Sequence, residues 1–331
     1  MSFQFEPFKN NWLQYSDMFN TAFPIPFTVN LSTDFFKQLK FDHDSLRSYR
    51  IEAARGAAKQ LGERPVLCLS GGVDSQAMIQ CWQEAGLSFD IAILTFANGL
   101  NRQDSDFAKE LCYSRRLPFI EIVLDVVQFL VRESAEKADL YRCISPHMLT
   151  HYKMFDMLRD KGYTGICCGG GAFAFGKDQW GPAPSPAQMN YNEYARVHSF
   201  PAMGNFLGYD PNLCWSIALL TPPHIAAWHG EEVLFANSVR YTTKVQGYIN
   251  HGFDIKPQDQ KYTGFELVKE YFAVKYKDGW TFEKKFRFPL EKKFGFTTTK
   301  LILTSFQLDT LGEIYSQRFT SGVEFPAGVT V

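Results

Sequence analysis

The chain has 331 residues, of which 45% are hydrophobic and 21% charged, and its formal net charge is −1. This length can bury a sizeable core and suits one large domain with additions, or two domains. The near-neutral charge excludes a general attraction to nucleic acid or anionic membranes. No apolar stretch is long enough to cross a bilayer, and Met1-Ser2-Phe3 does not begin a signal peptide.

Seven cysteines are present and none forms a Cys-x-x-Cys pair. An odd count without a secretory signal predicts reduced, mostly buried thiols and a cytoplasmic protein. Cys167 and Cys168 are adjacent, so in a strand they point to opposite faces and cannot share one tetrahedral zinc site.

The first 45 residues are polar and aromatic without a clean period. They are interpreted either as an arm packed on the main domain or a partner subunit, or as a loosely ordered lead-in. A helix is predicted next, capped by Asp44 or Ser45 and ended by Gly62.

A short apolar run, 66–69, stops at Ser70-Gly71-Gly72 and gives way to a predicted helix over 74–85. The run is typical of a buried parallel strand. Glycines let the backbone approach a ligand closely, and free N–H groups at the start of a helix favour an anion. Asp74 is placed to hold a Mg²⁺ that bridges phosphate oxygens, and Ser75 to donate its hydroxyl to them.

Strands and helices then alternate. Strands are predicted over 89–96, 118–124 and 164–168, and helices over 104–115, 126–137 and 146–161, the last capped by Ser145. This alternation predicts a parallel sheet covered on both faces, with ligands bound at the carboxyl ends of its strands. Ser70, the 96–102 loop and the loop after Cys168 would then share one rim.

The run Ser-Gly-Gly-x-Asp-Ser at 70–75 resembles the signature of the PP-loop ATP pyrophosphatase superfamily. The Pro146-led helix, the strand after it and the Gly-x-Gly-Ala loop at 169–172 are similar to the synthetase domain of asparagine synthetase. The resemblance is strongest over about 45–180. It implies an α/β fold with a doubly wound parallel sheet of the adenine nucleotide alpha hydrolase-like (HUP) type, with mostly helical additions. It also implies cleavage of ATP between the α and β phosphates, with Mg²⁺.

By the same resemblance, the adenosine pocket is lined by Leu69, Phe96, Cys168 and Gly169, mostly through backbone groups. The full nucleotide-binding set that it implies is Leu69, Ser70, Gly71, Gly72, Val73, Asp74, Ser75, Phe96, Cys168, Gly169 and Gly170.

One implied carboxylate is missing. The family's loop continues with Asp-Glu, whose Asp is a second Mg²⁺ ligand, whereas this chain has Phe173 and Ala174. Three alternatives follow: Asp178 or Asp104 substitutes, Asp74 and phosphate oxygens hold the ion alone, or the chemistry has been lost.

In the asparagine synthetase group a late lysine faces the α and β phosphates. Lys261 is the first candidate for that catalytic role and Lys256 the second, and a fixed ammonium at the developing charge suits the step. The alternative is that both are solvated surface lysines.

Three regions are expected: an N-terminal arm over 1–45, the ATP-binding α/β domain over 46–250, and a C-terminal extension over 251–331 that contacts substrate or phosphate. In the extension, 275–293 carries seven basic and three acidic residues, a local charge of +4, with interleaved aromatic residues. Such a segment can bind a nucleic-acid strand. A hairpin-like strand pair with inward aromatic side chains is the favoured interpretation.

The leading functional hypothesis is an AMP- and pyrophosphate-forming ligase or amidotransferase-like synthetase acting on a small-molecule substrate. Position 2 is Ser rather than a cysteine nucleophile, so nitrogen is expected from ammonia, an amine or a partner protein that supplies one. A second hypothesis is modification of a nucleotide or nucleic-acid base. The third is a nucleotide-binding or assembly protein that has lost catalysis. No membrane partner is expected, and the oligomeric state is left open.

Overall fold

The structure is a computed structural model. It describes residues 12–15, 25–141, 143–170, 186–222, 239–258, 264–275, 282–294 and 299–319.

The centre of the fold is a five-stranded sheet in which every strand pairs in parallel with its neighbours. Its strands are β3 (Pro65–Cys68), β4 (Asp90–Phe96), β5 (Ile120–Leu124), β6 (Gly165–Cys168) and β7 (Ala202–Met203). The spatial order is β5-β4-β3-β6-β7. The chain therefore places β4 and β5 on one side of β3, and then β6 and β7 on the other side. The predicted doubly wound α/β sheet is confirmed, as are its four predicted strands.

Thirteen α-helices are described, and most connect or cover the strands. They are α1 (Thr33–Gln38), α2 (His43–Leu61), α3 (Val73–Glu84), α4 (Arg102–Ser114), α5 (Val126–Arg132), α6 (Ser134–Tyr141), α7 (Pro146–Asp160), α8 (Pro186–His198), α9 (Pro211–Leu220), α10 (Val239–Asn250), α11 (Glu266–Lys275), α12 (Phe288–Phe294) and α13 (Ser305–Phe319). Short 3₁₀ turns lie at Ala97–Gly99 and Phe206–Gly208, and a π-helical turn spans Glu283–Arg287.

Alternate residues along each strand enter two different cores. Leu67 on β3 and Ile93 on β4 face the core formed with α2, α3, α4, α9 and α10. Val66 and Ala92 face the opposite core, formed with α5, α6, α7, α8 and α11. Both faces of the sheet are therefore buried, as a parallel sheet with helical crossovers requires.

A smaller sheet joins the two ends of the chain. Strand β1 (Leu13–Tyr15) pairs antiparallel with β2 (Ile25–Val29), and β2 pairs in parallel with β8 (Thr299–Ile302). Buried Gln307 on α13 donates to the carbonyls of Val29 and Leu31 at 3.1 and 2.6 Å, which ties α13 to the N-terminal strand. The C-terminal extension thus contributes one strand, β8, to this small sheet. The three-region division itself stays a prediction.

The helix predicted over 126–137 is broken in two. Glu133 ends α5, and the hydroxyl of buried Ser134 donates to the Leu130 carbonyl at 2.6 Å. A serine bonded back to the preceding turn bends a helix. The predicted N-cap of α2 also differs, because Asp42 accepts from the backbone N–H of Ser45.

The strand pair predicted within 275–293 is wrong for the part that is described. Residues 283–294 are helical, and Phe282 and Phe286, four apart, are buried together with their ring centroids 5.1 Å from each other. Phe286 also packs on Phe272 of α11 at 5.0 Å. Side chains four apart share one face of a helix and also one face of a strand, so this spacing alone does not distinguish the two. The lysines of this segment that the structure describes are exposed, and Lys293 pairs with Asp139.

A buried polar cluster links the helices behind the sheet. Arg50 on α2 donates to Glu84 on α3 at 2.8 Å and to the carbonyl of His251 at 2.6 Å. Nε2 of His251 lies 2.9 Å from the Ser216 hydroxyl on α9. Burial and the nearby Arg50 guanidinium lower the pKa of His251 to about 3, so its imidazole is neutral in the folded protein.

We expect His251 to make the protein less stable in mild acid. Its folded pKa lies below the value near 6.5 of an unfolded chain, so its contribution is constant above about pH 6.5. As the pH falls from there toward 3, only the unfolded chain takes up the proton, and the free energy of unfolding decreases by up to about 1.4 kcal/mol per pH unit.

Urea unfolding at pH 7 and pH 5 tests this. His251→Gln should reduce the loss between these values by about 2 kcal/mol relative to the unmodified chain. His43 is the control, because its side chain is 81% exposed. His43→Gln should leave the loss of unfolding free energy between pH 7 and pH 5 unchanged. An equal loss in His251→Gln and the unmodified chain would contradict the assignment.

Candidate functional site

A cavity of about 510 Å³ opens at the carboxyl ends of β3, β4 and β6. Strands β3 and β6 are neighbours in the sheet, and the chain leaves them toward opposite edges. That crevice is the place where open α/β sheets bind ligands, and the volume lies in the range of small-molecule sites. The cavity is therefore the candidate functional site, on the rim that the sequence predicts.

The Ser-Gly-Gly turn enters the site as the first residues after β3. Gly71 has a φ of +77°, and a Cβ there would come within 3.0 Å of the Phe107 ring, so the turn needs glycine on both counts. Gly72 is the N-cap of α3 and has no side chain to cap that helix, and its own N–H donates to the Ser70 hydroxyl at 3.4 Å. The first N–H groups of α3 and the positive end of its dipole thus lie beside the cavity, which Ser70, Asp74 and Ser75 line.

Short hydrogen bonds fix the conformation of this turn. The Ser75 hydroxyl donates to the Gly72 carbonyl at 2.8 Å. The amide of buried Gln76 donates to the carbonyls of Gly71 and Lys256 at 3.0 and 2.8 Å, and its oxygen accepts from the Lys256 N–H at 3.0 Å. The cradle is therefore held from behind by the 251–258 segment.

Gly169, the first residue after β6, lies directly against the start of α3. A Cβ at this position would come within 2.6 Å of the Asp74 carbonyl group and 2.7 Å of the Ser75 nitrogen. Real Cβ atoms do not approach backbone so closely, so the two loops can meet only through glycine.

Asp74 is bound by two side chains of α10. The ammonium of Lys244 lies 2.6 Å from Oδ2, and the Tyr248 hydroxyl donates to Oδ1 at 2.5 Å. Burial and the Asp74 charge raise the pKa of Tyr248 well above its ordinary value, so its hydroxyl keeps the proton that it donates. The sequence did not point to either residue.

The described acidic residues do not fit a magnesium ion as they stand. Both oxygens of Asp74 already accept hydrogen bonds, and Asp104, which also lines the cavity, accepts from Gln258 at 3.4 Å. Among the residues described, no cluster of three His, Cys, Asp or Glu side chains could hold a metal. Asp178, like Phe173 and Ala174, lies outside the described residues.

Asn101 shapes the side of the site next to β4. Its buried side chain accepts from the Phe96 N–H at 2.7 Å and donates to the Leu94 carbonyl at 2.9 Å. The N–H of Phe96 is thus already bonded and is not free to donate to a ligand. Its ring packs on Phe265, with centroids 5.6 Å apart.

A histidine–tyrosine pair forms the wall opposite the sheet. His151 on α7 lies 2.6 Å from the Tyr191 hydroxyl on α8, and the His147 ring lies 4.6 Å from the His151 ring. Burial and the neighbouring His147 lower the pKa of His151 well below its ordinary value, so it is neutral near pH 7. Sequence reasoning missed these side chains; their four-residue spacing on a helix predicts one shared face but not which face.

Two cysteines lie side by side on the cavity floor. Cys68 and Cys168 are paired in register at the ends of β3 and β6, and both line the cavity. Their thiols are hydrogen-bonded, and this bond together with burial raises the pKa of Cys68 well above its ordinary value. None of the seven cysteines is in a disulfide in this structure, and the other five are buried, in line with the mostly buried thiols predicted from the sequence.

The structure brings most of the predicted nucleotide-binding residues to this cavity. Those that line it are Leu69, Ser70, Gly72, Asp74, Ser75, Phe96, Cys168, Gly169 and Gly170. Gly71 and Val73 support the turn without lining it. Lys256 does not line it either, because its half-exposed ammonium pairs with Glu110 at 2.6 Å. Lys261 lies outside the described residues.

This geometry defines an α/β protein with a ligand cavity at the switch point of its parallel sheet. No family model matches the chain, and no curated protein matches it. The chain is similar to the solved structure of NMN synthetase from Francisella tularensis, with 12% sequence identity, 88% of this chain and 100% of that chain covered, and a TM-score of 0.35. Values this low identify neither a family nor a substrate. None of the helices within the described ranges is long and apolar enough to cross a membrane.

Gly169→Ala should lower the free energy of unfolding by about 1 to 3 kcal/mol, because the new methyl group forces the β6 and α3 loops apart. Urea unfolding measures the change. Gly312→Ala is the matched control: it lies within α13 with no heavy atom within 4 Å of a Cβ, and should be neutral or stabilising by up to about 1 kcal/mol. A Gly169→Ala protein as stable as the unmodified chain would show that the loops do not meet this closely.

Proposed function

We propose that this chain is a PP-loop synthetase that binds ATP in the switch-point cavity and uses it to activate a substrate oxygen by adenylylation. The observation that carries the proposal is the position of the Ser-Gly-Gly-x-Asp-Ser turn. It lines the cavity at the carboxyl ends of the strands and leads into α3. A phosphate-binding motif needs this context, a strand before the turn and a helix after it at a ligand cavity.

In this proposal the turn holds the phosphates. The N–H groups at the start of α3 and the Ser70 hydroxyl face the ligand and supply donors to phosphate oxygens. The Ser75 hydroxyl, which donates to the Gly72 carbonyl at 2.8 Å, turns to the phosphates only by giving up that bond. Such fixed donors also stabilise the negative charge that develops on pyrophosphate as it leaves.

The adenosine would extend from the turn into the apolar part of the cavity. Leu69, Phe96 and Met148 give it apolar walls, and His151 and Tyr191 offer polar atoms at one side. A mostly apolar cavity with a few fixed polar groups is the usual form of a nucleotide site. Because His151 is neutral, it presents no charge to the base near pH 7.

The reaction then follows two displacements. An oxygen of the substrate carboxylate attacks the α-phosphorus, and the bond to the bridging oxygen breaks as pyrophosphate leaves. An amine or ammonia next attacks the activated carbonyl carbon, AMP leaves with the bonding electron pair, and the nitrogen releases a proton. Holding ATP and acceptor in one cavity makes both steps intramolecular in effect.

Release of pyrophosphate and AMP from ATP, screened over carboxylic acids and amines, tests the activity. Asp74→Asn should reduce turnover at least about a hundredfold, because its charge organises the phosphate end of the site. Asp90→Asn is the control, since Asp90 is a half-exposed aspartate at the amino end of β4 that pairs with Arg64 at 3.7 Å. Formation of ADP and inorganic phosphate instead would contradict cleavage between the α and β phosphates.

Cysteine protection tests the location of the nucleotide independently of turnover. In the native protein at mildly alkaline pH, N-ethylmaleimide should modify Cys168 before the five buried cysteines, because Cys168 is partly accessible. Cys68 is also partly accessible, but its raised pKa leaves little of the reactive thiolate. ATP should slow the modification of Cys168, as measured by mass spectrometry of peptides. Unchanged modification at saturating ATP would place the nucleotide elsewhere.

A further inference from the structure

Asp74, which lines the phosphate end of the cavity, is paired with a positive charge supplied by the chain itself. The side chain of Lys244 is only 20% exposed, and its ammonium lies 2.6 Å from the Asp74 carboxylate, which is 25% exposed. In a site so shielded from water, such a contact is stronger than an exposed ion pair.

The helix that carries Lys244 is anchored at the site by its neighbours. Tyr248, one turn further along α10, is fully buried and donates to the other oxygen of Asp74. Its ring packs on Phe253 with centroids 5.6 Å apart. Residues four apart share a helix face, so one face of α10 presents both groups to the first turn of α3.

This arrangement occupies the position in which a metal ion would be expected. Magnesium requires near-octahedral oxygen coordination and is normally held by one or two carboxylates. In the described part of the site, Asp74 has both oxygens bonded to α10, and Asp104 accepts from Gln258. An ammonium has three N–H donors, so Lys244 can contact the carboxylate and phosphate oxygens at the same time.

We propose that the Lys244 ammonium takes the place of the divalent cation at Asp74, so that the chain binds the triphosphate of ATP without a metal ion. This inference rests on the proposed nucleotide site and adds that its cation is part of the protein. Asp74 then serves as the anchor of Lys244, and Tyr248 as a positioning residue for Asp74.

Calorimetric titration with α,β-methylene-ATP tests the inference, because this analogue cannot be cleaved between the α and β phosphates. The protein is dialysed against EDTA and titrated with and without excess MgCl₂. We expect the dissociation constant without metal to lie within about threefold of the dissociation constant in MgCl₂. A tenfold difference would correspond to about 1.4 kcal/mol of binding free energy. Binding only in the presence of MgCl₂ would overturn the inference and leave the proposed function intact.

Substitution of Lys244 identifies the cation. Lys244→Met should weaken metal-free binding about tenfold or more, as expected for loss of a charge-assisted hydrogen bond, whereas Lys244→Arg should retain most of it. Lys109→Met is the matched control: that lysine is also partly buried and forms a 2.7 Å pair with Glu121 on β5. Circular dichroism establishes whether each variant is folded. If a variant is not folded, the titrations of the unmodified chain with and without MgCl₂ still test whether ATP binding needs the metal.

The outcomes separate the two proposals. Metal-free binding that Lys244→Met leaves unchanged would show that another group supplies the charge, and would overturn the inference alone. Absence of binding by the unmodified chain, with or without MgCl₂, would overturn the proposed function and the inference with it.

Discussion

The structure of the site depends on the close approach of two backbone segments at the centre of the sheet. The β6 loop reaches the start of α3 at Gly169, where the space is too small for any side chain. This contact sets the mouth of the cavity, because the phosphate-binding turn and the loop after β6 form its two sides. A wider separation would move the donors of α3 away from the cavity, and a ligand would meet water rather than fixed N–H groups.

Asp74 connects this cradle to the helical part of the chain. Lys244 and Tyr248 of α10 bond to Asp74 in the first turn of α3. Gln76, also on α3, bonds to the backbone of Lys256 and so holds the segment that follows α10. The electrostatics of the nucleotide site and the packing of the C-terminal half are thus coupled. Removal of the Asp74 charge would leave the Lys244 ammonium partly buried without its carboxylate, which is a costly state.

The sequence predicted the elements whose signals are local. The Ser-Gly-Gly turn, the strand before it, the helix after it and the Ser145 cap all depend on neighbouring residues, and the structure has them. The side chains that complete the site come from elsewhere: Lys244 lies 170 positions from Asp74 in the chain. No local pattern encodes that contact, because which face of α10 meets α3 is decided by the packing of the whole core.

The same distinction explains the errors. Over a short window, the spacing of Phe282 and Phe286 is compatible with a strand or a helix. In the structure the segment is helical, and the ring of Phe286 packs on Phe272 and Phe282. Lys256 was a sound candidate from its position in the chain, yet its backbone rather than its ammonium supports the site. Its N–H and carbonyl hold Gln76, while the side chain turns to Glu110.

The cavity itself has a cause in side-chain size. Where a closed core would carry Ile or Leu, the register row Ala92, Cys68 and Cys168 across β4, β3 and β6 has smaller side chains, and glycine follows β6 at 169 and 170. The helices opposite cannot collapse into the gap, since Tyr191 already touches Gly204 so closely that a Cβ there would lie 1.8 Å from its ring. Close packing elsewhere therefore keeps the space open, because protein interiors relax only partly around a missing volume. Small residues in one register row of three adjacent strands, next to the phosphate-binding turn, thus leave room for a ligand.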